Sequence, residues 1–593
     1  MRSWPTRSSL NGTRAGVTIA AALAIAALGG GVAAAGTAPA GGAAGLGPGD
    51  AHARITGRPI PGTSTAGVTA AEAAPSPVPP RRKQIRVLKA ALHRMETHYH
   101  KFAKDTPGPQ DILDYGIGSL WLKGIDGAGT TVAVIEGWDD PKIAKQVAGF
   151  DKLFGLPNPH ITTIYPAGPL PSKCPAGMVK LGSYGSCKAW QGELSLDVVS
   201  AHLIAPYAKI LISATPADTE IQADAAQQVA PPEMMKALET ISAKHLANVI
   251  SISDGTGETT YPHGRAEIVA QNPGELAAAA AGIPVLNATG DCGVVQNLAV
   301  ANGQCEDVSK TPDTATWDDS PWTTAVGGSV PNVSRENGHR LGPDPLWHYK
   351  PPYAQYSEGA GFSSVFSRPS YQSGVASITK SSKRSVPDLT MDAQDGTSEA
   401  APLLNGVLAL ATQMAHGNVG PINPVLYRVL GKAGAKDGIA DVIKGNESAE
   451  KPDGKVTVRG FSAKKGFDVA SGWGTLFAPK FLPALVAATH ASHNEAAARG
   501  QAHSEFVALE HAMQLSPSKV GRHGHSYLFA GGFLPGYPVK LLVGSHKVAT
   551  LHANSLGDVT YMLTPAKLGL GSGAHEVMLE SMLIDKSAVL HVT

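Results

Sequence analysis

Ser398 lies in the segment DGTSEAAPLLNG (395–406), directly before an apolar stretch whose spacing is helical. Pro402 fits the first turn of such a helix, because no intrahelical N–H is lost there. The pattern predicts Ser398 at a helix N-terminus, where free N–H groups and the dipole favour developing negative charge. Acyl transfer uses a serine of this kind, a nucleophilic hydroxyl beside donors for the oxyanion. A serine that only caps a helix has the same local sequence, so the chemical interpretation depends on other residues.

Two carboxylates, Glu193 and Asp197, stand four residues apart in QGELSLDVVSAHLIAPYAKI (191–210). That spacing puts them on one face of a helix, and leucines and valines surround them. Acidic pairs at this spacing are usually solvated and carry no function. In a buried pair, by contrast, one carboxyl has a raised pKa and the two share a proton.

A third candidate, Asp291, belongs to the loop NATGDCGV (287–294) that follows an apolar run. An aspartate in such a loop can also be only a turn residue without a chemical role. If its carboxyl is protonated, however, the O–H can donate to an oxyanion. Cys292 beside it, bonded to Cys305, would fix the loop.

The elements that must position these residues alternate between short apolar runs and helical stretches. This alternation predicts an α/β fold with a parallel sheet. Ligands bind at the carboxyl ends of the strands in such sheets, where Glu136, Asp254 and Asp291 would lie. The predicted strands are 130–136, 208–214, 247–253 and 282–288, and the predicted helices are 190–205, 233–245 and 273–281.

Composition narrows the class of protein. The chain has 593 residues, enough for two or three domains, and only 16% of them are charged. A net charge of +1 gives no reason to expect nucleic acid or an anionic membrane as a partner. The four cysteines form two equally spaced pairs, Cys174/Cys187 and Cys292/Cys305, and no CxxC occurs. Two local disulfides in a secreted protein are expected rather than a zinc site.

The two ends of the chain have their own composition. Residues 1–35 read as a signal peptide, and no later stretch approaches the length of a membrane span, so a secreted protein without an anchor is expected. Residues 36–108 read as a disordered linker with a basic helix at 81–103, which either packs one apolar stripe or is the remnant of a propeptide. After a linker at 491–512, residues 513–593 read as a β-sandwich of immunoglobulin-like class, with a spacer or binding role.

Taken together, the Ser398 segment, the Glu193–Asp197 helix and the Asp291 loop resemble the sedolisin family of serine-carboxyl peptidases. The serine segment is also similar to that of subtilisins, but no HGTH-like histidine segment precedes it. The resemblance covers roughly residues 110–485 and implies a peptidase domain at 109–490 with a subtilisin-like parallel sheet flanked by helices. Further similar segments occur in the family's order: VAVIE (132–136), SISDG (251–255), SPWTTAVGG (320–328), GAGFSSVFSRPSYQ (359–372) and VPDLTMDA (386–393).

The resemblance also implies a role for each candidate. Ser398 would be the nucleophile, Glu193 its general base and acid, Asp197 the group that orients Glu193, and Asp291 the oxyanion donor. A carboxylate base has a pKa nearer 4 than 7, roughly, and Asp291 must stay protonated. A secreted endopeptidase that cleaves polypeptides in acid is therefore expected, as a monomer.

The family carries a calcium site near the end of its catalytic domain, and the matching places here imply one calcium ion. The expected ligands are the carboxylates of Asp441 and Asp468 with the carbonyls of Val442, Lys464 and Gly466. Ligation by oxygen alone suits calcium. Lys464 replaces a glycine, which a ligand carbonyl tolerates.

Three departures from the family pattern keep a second function open. Asp254 stands where an aromatic residue is usual, and it would alter the coupling of Glu193 and Asp197, favour a basic substrate side chain, or be neutral drift. Asp395 adds charge before the serine, and the segment before the catalytic domain is short for a folded propeptide. The main alternative is an inactive secreted binding protein on the same fold. A subtilisin-like hydrolase that acts at neutral pH is less consistent with the sequence. The only histidine on the helix of Glu193 is His202, which lies nine residues past Glu193 and is expected at the surface or the helix end.

Overall fold

A computed structural model describes most of the chain after residue 78. The described residues are 79–102, 107–180, 186–215, 233–299, 304–334, 336–338, 340–490, 513–554 and 557–593. The predicted signal peptide (1–35), nearly all of the predicted linker before the basic helix, and the linker at 491–512 lie outside them.

A seven-stranded, wholly parallel sheet forms the centre of the larger unit, as the alternation of strands and helices predicted. The order across the sheet is β7-β6-β5-β4-β1-β3-β2, and the four predicted strands correspond to β1, β3, β4 and β5. The strands are β1 (Thr131–Glu136), β2 (Ile161–Ile164), β3 (Lys209–Ala214), β4 (Val249–Ile252), β5 (Val285–Ala288), β6 (Thr323–Ser329) and β7 (Leu389–Asp392).

Both faces of this sheet are covered, which is why its strands are continuous apolar runs. In β1, Val132 and Val134 enter one buried cluster, while Ala133 and Ile135 enter another on the opposite face. Successive side chains of a strand point to opposite faces, so nearly all positions of a strand that is buried on both sides are apolar. The α-helices of the larger unit are Arg81–Thr97, Tyr99–Phe102, Pro109–Asp114, Ile117–Trp121, Ile143–Phe154, Ala176–Lys180, Cys187–Ile204, Glu233–Ala243, Arg265–Ala270, Pro273–Ala280, Ala376–Thr379, Thr397–Ala415, Asn423–Val425, Gly431–Ala433 and Ala478–His490.

Two of these helices carry the candidate residues and pack against each other. We call Cys187–Ile204 the carboxylate helix and Thr397–Ala415 the serine helix. Their contact is close because the serine helix has a glycine there: a Cβ on Gly406 would lie 2.6 Å from the Cβ of Ile204. Both helices also pack onto the face of β1 that carries Val132 and Val134, so the two candidate sets share one rigid core.

The basic helix at Arg81–Thr97 packs onto this same core. Leu88 and Met95 are fully buried, and Leu92 contacts Gly118, where a Cβ would lie 2.7 Å from a leucine methyl. The helix contacts Ile117–Trp121 and Ile143–Phe154, and its charged face is exposed. Its apolar stripe is therefore packed, as the first interpretation of this helix expected.

Both expected disulfides are present, Cys174–Cys187 and Cys292–Cys305. The first begins the carboxylate helix, and the second closes the loop beside Asp291. Four short antiparallel ladders complete the larger unit: Asn297–Ala299 with Asp307–Val308, Gly361–Ser367 with Lys383–Val386, Ile439–Ala440 with Thr475–Leu476, and Ala449–Glu450 with Val456–Val458.

The C-terminal region is all β, as predicted, and consists of two sheets around a separate apolar core. Burial alternates along Ser526–Ala530, which is typical of a strand with one covered face. Leu534 and Leu583 of this region join a buried cluster of the larger unit that includes Met234. Within the described residues, no helix combines the length and apolarity needed to cross a membrane. The sheets contain Gln514–Ser516, Ser526–Ala530 and Val559–Leu563, and Lys519–Val520, Asp585–Val592, Gly573–Glu580, Pro538–Val543 and His546–His552.

Candidate active site

Ser398 is the second residue of the serine helix and is half-buried. Pro402 is not in the first turn, as the sequence suggested, but is the sixth residue of the helix. A helical N–H at position 402 would bond to the carbonyl of Ser398, four residues earlier, and proline has none. The hydroxyl of Ser253 donates to that carbonyl instead, at 3.1 Å. The proline and Ser253 thus form one arrangement that ties the nucleophile segment to the end of β4.

Asp291 lies against the first turn of the serine helix. Its Oδ1 accepts hydrogen bonds from the N–H and the hydroxyl of Thr397, both at 2.8 Å, and its Oδ2 accepts one from Gln304 at 2.8 Å. Gly396 makes this approach possible, because it has φ 94° and a Cβ there would lie 2.9 Å from Asp291 Oδ2. Burial raises the pKa of Asp291, and the bonds from Thr397 and Gln304 oppose that rise.

Glu193 of the carboxylate helix lies near the side chain of Ser398, which lowers its pKa, and Glu193 Oε1 is buried without a hydrogen-bond partner among the described residues. Burial raises the pKa of Glu193 to about 7; the Ser398 contact lowers it, and the charge of Asp291 raises it. The serine and both of its predicted partners therefore come together from three elements that are far apart in sequence. The Glu193 side chain is half-buried, so this end of the helix faces a cleft.

Asp197 lies one turn further along and is completely buried. Its pKa is well above the usual range, first because of burial and then because of the charge of Glu193, while contacts with Ser253 and Glu136 lower it. Glu136 ends β1 and is also buried, with a pKa raised by burial and by the charges of Asp197 and Glu193. Two carboxyls in contact within a dry site share a proton.

The sequence had put Glu136 at this edge of the sheet without giving it a role. Ser253, Thr397 and Gln304 were also not assigned. The signal for Glu136 was its position as the last residue of an apolar run beside the predicted site. The other three contact the site through hydrogen bonds, two from Thr397 and one each from Gln304 and Ser253, and no local sequence pattern marks them.

Asp254 follows Ser253 at the same edge and is half-buried. Burial raises its pKa well above the usual range, and the charge of Glu193 adds to the rise. Its Oδ2 is buried without a hydrogen-bond partner among the described residues. The fifth carboxyl of the site is thus connected to the others through charge alone.

His202 is excluded from this site by its surroundings. It lies in the last turn of the carboxylate helix, as expected, but it is buried rather than at the surface. Its Nε2 contacts Asp151 Oδ1 at 2.8 Å. The imidazole is therefore committed to a structural pair in the core.

A second group of three buried carboxyls lies on the other side of the serine segment. Oxygens of Asp111, Asp392 and Glu399 lie within 4.8 Å of one another. Burial raises the pKa of Asp111 to about 6 and the pKa values of Asp392 and Glu399 well above the usual range. Asp395, which departs from the family pattern, interacts with this group of carboxyls. Its charge raises the pKa values of Asp111 and Glu399, and its N–H donates to Glu399.

The five residues expected to bind calcium meet in one loop region. Asp441 Oδ2 accepts from the N–H of Gly466 at 2.8 Å, and Asp468 Oδ2 accepts from the N–H of Lys464. Asp441 Oδ1 is buried with no hydrogen-bond partner among the described residues, and burial raises the pKa values of both aspartates. Two carboxylates beside backbone carbonyls, one with an orphaned oxygen, fit a calcium ion. Val442 is buried, and only its carbonyl could serve as a ligand.

The arrangement defines a class of protein: an α/β fold that presents a serine hydroxyl to a buried carboxyl, rather than to imidazole, at the carboxyl edge of a parallel sheet. No family model matches the chain. The chain is 26% identical to kumamolisin from Bacillus sp. (strain MN-32) over 441 residues, which is 69% of each protein. It is 28% identical to tripeptidyl-peptidase 1 from Canis lupus familiaris over 277 residues, 41% of this chain and less than half (44%) of that relative.

Among solved structures, Pseudomonas sedolisin (serine-carboxyl proteinase), complexed with two molecules of pseudo-iodotyrostatin, aligns with 62% of this chain and 94% of its own. The TM-score is 0.49 and the identity is 23%. The sequence similarity to kumamolisin and tripeptidyl-peptidase 1 agrees with the resemblance to the sedolisin family found in the sequence.

Proposed function

We propose that this protein is a secreted serine-carboxyl endopeptidase that hydrolyses peptide bonds of polypeptides in acid. The observation that carries the proposal is the proximity of the Ser398 side chain to the Glu193 carboxyl, with Asp291 hydrogen-bonded to the same helical turn. The names of its relatives, kumamolisin and tripeptidyl-peptidase 1, support peptidase activity. The two disulfides support secretion.

Ser398 attacks the scissile carbonyl while Glu193 takes its proton, and a bond forms between the serine oxygen and the carbonyl carbon. The negative charge passes to the carbonyl oxygen, where a protonated Asp291 donates to it. The C–N bond then breaks, and Glu193 returns the proton to the leaving amine. Water repeats the sequence on the acyl-enzyme, with Glu193 again as the base.

The different pKa shifts favour a negative charge on Glu193 before the other acids ionise. The pKa of Glu193 is raised to about 7, whereas those of Asp197 and Glu136 are raised well above their usual range. The first proton to leave this coupled group therefore leaves Glu193, the carboxyl beside the nucleophile. A pKa of about 7 is higher than the value of about 4 expected from the sequence, so Glu193 is mostly protonated in acid and the ionised base increases as the pH rises. Asp197 and Glu136 keep a proton between them and stabilise the Glu193 carboxylate.

Calcium is proposed as a structural ion, with Asp441, Asp468 and the carbonyls of Val442, Lys464 and Gly466 as its ligands. The ion would supply the charge that two neighbouring buried carboxylates require. The loop that carries Asp468 continues to Trp473 and Gly474, which hydrogen-bond to the backbone of residues 388 and 390 around the start of β7. Because β7 leads into the serine segment, this loop supports the site indirectly.

Hydrolysis of a denatured protein substrate from about pH 2.5 to about pH 8 tests the proposal. We expect acid-confined activity that is lost in Ser398→Ala and in Glu193→Gln. Glu275→Gln is the matched control, because Glu275 is another buried acid with a pKa raised to about 7 and lies outside the site. No activity in a folded, calcium-loaded sample would favour an inactive binding protein. Neutral activity that survives Glu193→Gln would mean that another group is the base.

A further inference from the structure

Asp254 is an acidic residue at the carboxyl edge of the sheet that the proposed mechanism does not use. It lies between two residues whose positions are fixed by contacts. Ser253 donates to the carbonyl of Ser398, and Gly255 packs so closely on the neighbouring segment that a Cβ there would lie 2.9 Å from the carbonyl oxygen of Thr316. Asp254 is the half-exposed residue between them, so it lies next to the nucleophile segment and is in part reached by solvent.

The surroundings of Asp254 provide no positive charge. The ionisable groups that face it are Glu193 from the carboxylate helix, Glu136 from the end of β1, and the phenol of Tyr261. Within the described part of the chain, no lysine, arginine or histidine is among the main groups that shift the pKa values of Asp254, Glu193 and Glu136. An ionised Asp254 would therefore be an uncompensated charge, which is costly in a partly dry site.

A role in the proton-sharing group does not account for Asp254. Asp197 and Glu136 are almost completely buried, and none of their carboxyl oxygens has a hydrogen-bond partner among the described residues, so a proton shared between them is shielded from solvent. Asp254 is half-exposed and shifts the pKa of Glu136 only through its charge. A cationic donor that arrives with the substrate would compensate that charge.

We propose that Asp254 is a specificity-determining residue that selects substrates with a lysine or arginine side chain next to the scissile bond. This inference rests on the proposed peptidase function. A bound ammonium or guanidinium group stabilises the Asp254 carboxylate and donates to it from the exposed side of the residue. It also removes the repulsion between Asp254 and Glu193, so the substrate cation helps to keep the base ionised. Selection should strengthen as the pH rises, because the Asp254 carboxylate forms more readily.

The test uses two series of quenched peptides that differ only in having lysine or norleucine on either side of the cleaved bond. The ratio of kcat/KM for the lysine and norleucine peptides is measured from about pH 3 to about pH 6 for wild type, Asp254→Asn and Glu275→Gln. We expect a ratio of about ten or more in wild type, rising with pH, since a charged hydrogen bond is worth about one factor of ten or more. In Asp254→Asn the ratio should fall to about one while cleavage of the norleucine peptide persists. Glu275→Gln should retain the wild-type ratio.

Three outcomes would overturn the inference. A wild-type ratio near one at every pH would show that no cation is selected, and an unchanged ratio in Asp254→Asn would assign selection to another group. An equal loss on both peptides in a folded Asp254→Asn variant would assign the residue to the geometry of the site. Absence of all hydrolysis by wild type would instead refute the proposed function, and the inference with it.

Discussion

Ser253→Ala should destabilise the nucleophile segment. The hydroxyl of Ser253 is buried and supplies a hydrogen bond to the Ser398 carbonyl, which Pro402 leaves without a helical donor. Leaving such a carbonyl unsatisfied costs about 1 to 3 kcal/mol in a buried site. Since Ser398 is only half-buried, water compensates in part, and we expect a loss of about 1 kcal/mol in unfolding free energy.

The same reasoning predicts rescue by a second substitution. Pro402→Ala alone should destabilise by about 0.5 to 1 kcal/mol, because the unfolded chain gains conformational freedom. In the Ser253→Ala background, however, the new N–H at position 402 can donate to the Ser398 carbonyl. The double variant should therefore be more stable than the sum of the single losses by about 1 kcal/mol.

Urea unfolding followed by tryptophan fluorescence measures this cycle in the full chain. All tryptophans lie before residue 474, so the C-terminal β region does not contribute to the signal. Ser242→Ala is the matched control, because Ser242 is also buried and its hydroxyl has no partner among the described residues. If the loss in the double variant equals the sum of the two single losses to within about 0.5 kcal/mol, the shared role of Ser253 and Pro402 is refuted. A Ser242→Ala loss as large as that of Ser253→Ala would also refute it.

Three further predictions concern chemistry, calcium and pH. Glu193→Gln should lower kcat by a factor of about a hundred or more with the fold intact, and circular dichroism with peptide hydrolysis checks both parts. Chelation should lower the unfolding temperature of wild type by several degrees, roughly, but should have little effect on Asp441→Asn, as calorimetry with and without calcium will show. Burial raises the pKa values of Asp392 and Glu399, so the folded state binds protons that the unfolded state releases. Stability is therefore greatest below about pH 4 and declines as pH rises towards the folded-state pKa values; a flat or rising urea midpoint over that range would contradict this.

The parallel sheet and the placement of the candidate residues at its edge could be predicted because they depend on local sequence patterns. Continuous apolar runs such as 130–136 are compatible only with strands covered on both faces, and four of the seven strands were predicted from such runs. The i, i+4 spacing of Glu193 and Asp197 fixes them on one helical face whatever the helix packs against. The parallel topology then brings that face near the edge where β1, β4 and β5 end.

What could not be predicted depends on contacts between distant segments. The sequence suggested a proline in the first helical turn, but the helix starts one residue before Ser398, so Pro402 falls where it removes an internal bond. The residue that compensates, Ser253, directly follows β4 and lies 145 residues before Ser398 in the sequence. The burial of His202 beside Asp151 likewise depends on the packing of another helix, and helical spacing alone does not reveal it.

The carboxyls around Ser398 connect the pH dependence of the chemistry with that of the fold. Asp197 and Glu136 must retain a proton if Glu193 alone is to ionise. Asp392 and Glu399, which frame the segment that holds the serine, repel each other when ionised. Acid removes this repulsion, but it also protonates Glu193, whose pKa is about 7. An increase in pH therefore first supplies the ionised base. As the more strongly shifted acids then ionise, it weakens the support of the nucleophile and removes the shared proton, so the loss of activity at high pH should accompany a loss of stability.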